Sequence, residues 1–165
     1  VLGAGDKPPE TRSKPLISRR RMQVAGLMSR NKGKRGEREV VKLLQPVVNE
    51  VYGSLGLDPP LLERNLMQAH KGGCDLVGLD WLALKVKYQE QQQVASWWDQ
   101  CKRQAAPDRE PVLFYRKNNA KWKVRMFGYL VAGGQRVRCP VDITPEAFLA
   151  YLRIRLLKEL TPLNG

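Results

Sequence analysis

A carboxylate and two lysines fall on neighbouring segments of the chain at a spacing that suits chemistry on a phosphodiester. Asp75 lies in one short apolar segment, and Lys85 and Lys87 lie on the next. If the two segments pair as a β-hairpin, Asp75 lies close to both lysines, because alternate residues of a strand share one face. Carboxylates at such a place can hold Mg²⁺, which activates water and stabilises charge on a scissile phosphate. A nearby lysine can position that water or neutralise developing charge.

The hydrophobic pattern predicts the elements that position these residues. Apolar residues at helical spacing predict helices, and short alternating or apolar runs between turn residues predict strands. Pro46 predicts a kink or split in the first helix, and Asn118-Asn119 predicts a hairpin turn. The predicted order is helix, three strands, helix, two strands, helix, at roughly residues 35–52, 61–68, 74–77, 81–88, 94–105, 111–116, 121–130 and 144–160. This order predicts an α/β domain with a central mixed five-stranded sheet flanked by helices.

The charge of the chain indicates a nucleic-acid partner. The 165 residues contain 29 Lys and Arg against 16 Asp and Glu, a formal net charge of +13. Such an excess of cations is typical of a surface that meets phosphates. Residues 1–31, with the run Arg19-Arg20-Arg21, are predicted to be a basic flexible arm, either lying along a nucleic-acid backbone or serving as a solvated linker. Residues 32–165 are predicted to form the folded domain.

The cysteines and the hydropathy pattern favour a cytoplasmic protein. Cys74, Cys101 and Cys139 are far apart in the chain, an arrangement that indicates neither a disulfide framework nor a zinc site. A reducing compartment is therefore expected. No long uncharged apolar run is present, so no membrane-spanning helix and no membrane partner are expected.

Two sequence motifs resemble those of one nuclease superfamily. Asp75 followed by residue 85, Val86 and Lys87 resembles the PD-(D/E)XK signature, and the segment Lys32-Gly33-Lys34-Arg35-Gly36-Glu37-Arg38-Glu39 is similar to the opening helix of archaeal-type Holliday-junction resolvases. Lys87-Tyr88-Gln89-Glu90, followed by Trp97-Trp98 and Gln100, resembles phage and prophage nucleases of the superfamily. The resemblance implies a restriction-endonuclease-like core and a metal-dependent, structure-selective DNA endonuclease, with Holliday-junction resolution as the expected activity. It also implies a homodimer acting on branched or double-stranded DNA in the cytoplasm of a bacterial or phage-infected cell.

The resemblance also implies roles for individual residues. The expected catalytic residues are Glu37, Asp75, Lys85, Lys87 and Gln100. Mg²⁺ or Mn²⁺ would be held by Glu37, Asp75 and Val86. The expected DNA contacts are Lys34, Arg35, Arg38, Arg64, Lys71 and Trp98. Because neighbouring helical positions lie about 100° apart, only one of Trp97 and Trp98 is expected in the core, which leaves the other to stack on DNA or cover a partner.

One residue departs from the family pattern. Members of the superfamily carry Glu or Asp at the position of Lys85, and a lysine cannot ligate Mg²⁺. Cleavage by this chain is therefore expected to be impaired or absent. Three explanations are open: a substitution introduced to trap DNA uncut, a natural DNA-binding relic, or a replacement carboxylate from Glu90. The first is favoured, because the rest of the motif is intact. A non-catalytic DNA-binding or virion-associated module on the same fold is the alternative function.

Overall fold

The computed structural model describes residues 16–67 and 73–161, which form an α/β arrangement. The elements of this part are, in chain order, α1 (Leu16–Ser54), β1 (Glu63–Arg64), β2 (Leu76–Val77), β3 (Leu82–Tyr88), α2 (Val94–Ala105), β4 (Glu110–Arg116), β5 (Lys123–Ala132), β6 (Gln135–Ile143) and α3 (Pro145–Leu160). The predicted α/β class is confirmed. No helix in the described ranges combines the length and the apolar character needed to cross a membrane.

The strands of the described residues form two sheets rather than one. The main sheet has the order β3-β4-β5-β6, with β3 parallel to β4 and the other neighbours antiparallel. The short strands β1 and β2 pair with each other as a separate antiparallel sheet. The prediction of five strands in one sheet is therefore wrong. The mixed character of the sheet is confirmed, and the parallel β3–β4 pair arises because α2 carries the chain back between these strands.

The strand β6 was not predicted, and its composition explains why. Its sequence mixes Arg136, Arg138 and Pro140 with apolar residues, and most of its residues are exposed. It is an edge strand, and edge strands commonly carry charges and proline. The useful signal was the dipeptide Gly133-Gly134, whose positive φ angles of 54° and 76° make the tight turn from β5 to β6.

The main sheet is covered on both faces. The helices α1 and α3 pack Val40, Leu44, Phe148, Leu152 and their neighbours against Leu84, Val86, Val112 and Phe114. On the other face, α2 packs against Leu113 and Tyr115. Because both faces are covered, all of residues 82–86 are buried, Lys85 included.

Trp97 and Trp98 are both part of the core, which corrects the expectation that only one of them points inward. Their exposed fractions are 6% and 5%. Trp98 packs edge-on against Phe127 of β5, with ring centroids 5.2 Å apart. The long strand β5 reaches under α2, so the helix buries a face wide enough for two adjacent side chains.

The helix α1 is longer than the sequence had indicated. It begins at Leu16 instead of near residue 35, so the part of the predicted arm from Leu16 onward is helical, and residues 1–15 lie outside the described ranges. Pro46 lies within α1 and does not split it. At Gly36, a Cβ atom would come within 3.2 Å of Tyr88 and Trp122 side-chain atoms. The absence of a side chain there lets α1 approach the end of β3 closely.

Candidate active site

Asp75 and Lys85 meet across the turn between β2 and β3, as the spacing had predicted. The backbone N–H of Asp75 donates to the carbonyl of Leu84 at 2.8 Å, which fixes the two segments in register. The Lys85 ammonium then lies 3.2 Å from Oδ1 of Asp75. The backbone N–H of Val86 donates to Oδ2 of the same carboxylate at 2.6 Å. Both carboxylate oxygens of Asp75 therefore accept hydrogen bonds from β3.

The ion pair between Asp75 and Lys85 is buried. Their side chains are only 7% and 4% exposed. Removing two charges from water costs several kcal/mol per ion, and an ion pair offsets this cost only when its geometry is good. Either residue alone would leave an uncompensated buried charge, so each requires the other.

Glu37 reaches the same region from α1. Its carboxylate accepts a hydrogen bond from Nε of Arg64 on β1, so the arginine that was expected to contact DNA is half-buried against Glu37. Two residues further along α1, Glu39 pairs with Arg116 at 2.7 Å and with Arg35 at 2.9 Å. Each of the two α1 glutamates of the resolvase-like segment is thus balanced by an arginine.

The expected catalytic residues converge on one cleft of about 270 Å³. The cleft is lined by Ser29, Gly33, Glu37, Asp75, Lys85, Val86, Lys87, Tyr88, Gln89 and Gln100. These residues come from α1, from the segment that runs from Asp75 through β3 to Gln89, and from α2. All residues expected to act in catalysis or metal binding therefore lie around one space.

Four lining residues were not foreseen: Ser29, Gly33, Tyr88 and Gln89. Ser29, Gly33 and Glu37 are spaced by four residues, so they share one face of α1. That spacing could have identified the wall, but only if the helix had been extended back past residue 35. The feature that was missed is that α1 begins at Leu16, before the run Arg19-Arg20-Arg21.

Lys87 lines this cleft and is partly buried. Burial lowers the pKa of its ammonium below the ordinary value of 10.5, and the positive charge of Lys85 acts in the same direction. The negative charge of Asp75 opposes the shift. Lys87 therefore gives up its proton more readily than a solvated lysine does.

The remaining predicted residues occupy different environments. Lys34, Arg35 and Arg38 are exposed on α1 beside the cleft. Lys71 lies outside the described residues. Trp98 is too buried to offer a ring face to DNA, which overturns its expected role as a DNA contact.

Glu90 does not replace the missing carboxylate. Its Oε2 atom accepts a hydrogen bond from the backbone N–H of Asn118 at 3.0 Å, and Glu90 does not line the cleft.

The cysteines are free, and burial raises the pKa of the Cys101 thiol to about 12. Cys101 is therefore a core thiol.

The cleft of this chain does not fit a divalent cation well. Magnesium needs oxygen ligands in an octahedral arrangement, but Lys85 donates to one oxygen of Asp75, and Arg64 is bound to Glu37. The Lys85 ammonium puts a positive charge beside the very carboxylate that would have to bind the ion.

Comparisons with known proteins identify no relative. No protein-family model, no curated protein and no solved structure matches this chain.

Proposed function

We propose that this chain is a DNA-binding protein with the site of a metal-dependent, structure-selective endonuclease, of the kind that resolves Holliday junctions, and that Lys85 impairs its cleavage. The supporting observation is the convergence of Glu37, Asp75, Lys85, Lys87 and Gln100 on one cleft. These residues come from three separate parts of the chain. They occupy the positions at which the amino-acid sequence resembles a nuclease motif, so the sequence and the geometry point to the same set of residues.

The surface beside the cleft has the charge that DNA binding needs. Residues 16–36 of α1 contain seven lysines and arginines and no acidic residue, and the side chains of residues 19–31 are all exposed. Lysines and arginines that neutralise phosphates supply most of the sequence-independent affinity for DNA. This half of α1 forms one wall of the cleft through Ser29 and Gly33, so bound DNA would lie next to the candidate catalytic residues.

A second candidate function is a non-catalytic DNA-binding module, such as a virion-associated one, on the same scaffold. The buried pair of Lys85 and Asp75 favours it. The ammonium compensates the carboxylate as an ion would, and the site is electrostatically complete without metal. The two candidates differ in what Lys85→Glu does: the first predicts that cleavage appears, and the second predicts no cleavage.

DNA binding itself is tested with a four-way junction and a linear duplex of equal length, titrated in EDTA and in Mg²⁺. We expect salt-sensitive binding that does not depend on Mg²⁺ and that favours the junction. Lys34→Gln combined with Arg38→Gln should weaken binding to both substrates, because these exposed cations flank the cleft. Absence of binding to either DNA at low salt would refute both candidate functions.

Action as a cytoplasmic homodimer belongs to the same proposal, because symmetric cutting of a junction requires two sites related by a two-fold axis. Phe148, Leu152 and Leu156 of α3 are buried in the core of the chain itself. Apolar side chains that are exposed, and so accessible to a second copy, include Ile154 and Leu157 of α3 and Met22, Val24, Leu27 and Met28 of α1. Sedimentation of the protein with and without junction DNA would measure the oligomeric state.

A further inference from the structure

A groove outside the cleft offers a second place for DNA. It lies between the β4–β5 connection and the start of α3, with a volume of about 1020 Å³. Its lining includes Arg116, Lys117, Lys121, Trp122 and Lys123. None of these residues was singled out from the sequence as a DNA contact.

The groove carries an excess of accessible positive charge. Lys117, Lys121 and Lys123 are all exposed. The acidic residue Asp142 on the same lining is matched by Arg125, whose Nε and Nη2 atoms donate to the two carboxylate oxygens at 2.8 and 2.7 Å. The other acidic residue, Glu146, lies in the first turn of α3, where the helix dipole favours a negative charge. The three lysines therefore dominate the field at the rim.

The groove adjoins the cleft, and the guanidinium of Arg116 lies between them. The guanidinium of Arg116 lies 4.2 Å from the ring centre of Tyr88, a cleft residue, and 4.8 Å from that of Trp122, a groove residue. One stacked cation thus separates the two spaces, and Glu39 holds it from the α1 side at 2.7 Å. Lys32 of α1 also donates to Oδ1 of Asn118 in the β4–β5 connection at 3.1 Å. The wall of the cleft and the rim of the groove are therefore held together.

We propose that this groove binds the phosphodiester backbone of a DNA strand that leaves the cleft. The inference rests on the proposed DNA-binding function and adds a second contact region to it. Lys117, Lys121 and Lys123 neutralise successive phosphates. The Tyr88–Arg116–Trp122 stack forms the floor over which the strand passes from cleft to groove.

The test is the triple variant Lys117→Gln/Lys121→Gln/Lys123→Gln, whose replaced side chains are exposed and should leave the fold intact. The matched control is Lys102→Gln/Arg103→Gln/Lys158→Gln, which removes the same charge. Lys102 and Arg103 lie in the last turn of α2, and Lys158 lies in the last turn of α3. The groove lies at the start of α3, about 20 Å from Lys158 at 1.5 Å per residue.

Binding is measured by fluorescence anisotropy of a labelled four-way junction across a range of salt concentrations, with circular dichroism to confirm folding. Loss of three phosphate contacts should reduce the slope of log affinity against log salt by about 2.7, at about 0.9 per contact. The control should keep the wild-type slope. A second junction with one single-stranded arm is titrated in parallel. The junction for which the groove variant loses more affinity relative to wild type identifies whether the groove holds a single strand or a duplex.

A groove variant with the wild-type slope on both junctions would overturn the inference, and so would a control that loses as much as the groove variant. Failure of the proposed function is distinguishable, because then the wild-type chain itself binds neither junction. Wild-type binding together with a groove variant that matches it refutes only the groove.

Discussion

The ammonium of Lys85 lies 3.2 Å from Oδ1 of Asp75, and both side chains are buried at the candidate cleft. A lysine at this position brings its own positive charge. The carboxylate of Asp75 is therefore paired without a bound ion. Under the proposed function, Lys85 would account for both an ordered site and an expected loss of cleavage.

The ion pair predicts a strong effect of Asp75 on stability. Asp75→Ala leaves the Lys85 ammonium buried without its counter-charge and should lower the free energy of unfolding by about 3–5 kcal/mol. Lys85→Met combined with Asp75→Leu removes both charges and should recover most of that loss. Urea denaturation followed by circular dichroism measures the difference. An Asp75→Ala protein as stable as wild type would show that the pair does not form.

The substitution Lys85→Glu should make the melting temperature of the chain sensitive to Mg²⁺. Lys85→Glu places two carboxylates together in a buried site, which should lower the melting temperature in EDTA. Addition of Mg²⁺ should then raise it, because a ligand that binds only the native state stabilises that state. The wild-type chain should show no specific shift. Differential scanning fluorimetry with NaCl at matched ionic strength as the control measures this, and an equal Mg²⁺ shift in both proteins would contradict the proposed role of Lys85.

The lowered pKa of Lys87 predicts a pH dependence of DNA binding. Lys87 lines the cleft beside which DNA is proposed to lie, and burial lowers the pKa of its ammonium below 10.5. Affinity for DNA should therefore fall as pH rises through that lowered pKa and Lys87 loses its charge. The folded state binds fewer protons than the unfolded chain in this range, so stability contributed by Lys87 should rise over the same interval. Anisotropy titrations from about pH 7 to about pH 10 would measure the affinity.

Lys87→Arg is the control for this pH dependence, because arginine keeps its charge throughout the range. Its affinity for DNA should change less with pH than that of wild type. If both proteins lose affinity in parallel, another group is responsible for the titration.

A larger side chain at position 33 should weaken DNA binding without lowering the stability of the fold. A Cβ atom at this position meets nothing within 4 Å, and glycine inside a helix costs about 1 kcal/mol relative to alanine. Gly33→Leu should therefore fold at least as stably as wild type, yet it should weaken DNA binding because its side chain projects at the cleft. Gly26→Leu is the matched control, since Gly26 has the same open space on α1 but does not line the cleft. Equal DNA affinities of the two variants would remove the cleft wall at Gly33 from the DNA path.

The local parts of the structure were predictable from the sequence, and the long-range parts were not. The approach of Asp75 to Lys85 follows from the alternation of side chains along a strand and the short turn before β3, although β2 pairs with β1 and does not form the expected hairpin with β3. The helix α2 (Val94–Ala105) has the predicted bounds. The start of α3 also follows from local chemistry, because the hydroxyl of Thr144 caps it by accepting from the N–H of Ala147 at 3.1 Å.

Tertiary packing decided the rest. Whether Trp98 is buried depends on how far β5 extends beneath α2, and no local pattern specifies that length. The edge strand β6 depends similarly on its pairing with β5. The first part of α1 was missed for a different reason, because residues 19–31 are exposed and form no buried apolar stripe. The groove beside the cleft combines three elements, so its lysines are indistinguishable in the sequence from ordinary surface residues.

The central claim is tested most directly by cleavage of an end-labelled four-way junction, with a linear duplex as control, by wild type, by Lys85→Glu and by Lys85→Glu/Asp75→Asn in Mg²⁺. We expect that Lys85→Glu alone cuts, that it prefers the junction, and that wild type binds the junction without cutting it. The double variant should lose cleavage, because it removes the Asp75 carboxylate that the Lys85→Glu variant would need. Cleavage by wild type equal to that of Lys85→Glu, or a folded Lys85→Glu protein that binds DNA but never cuts it, would contradict the claim that Lys85 impairs a nuclease site.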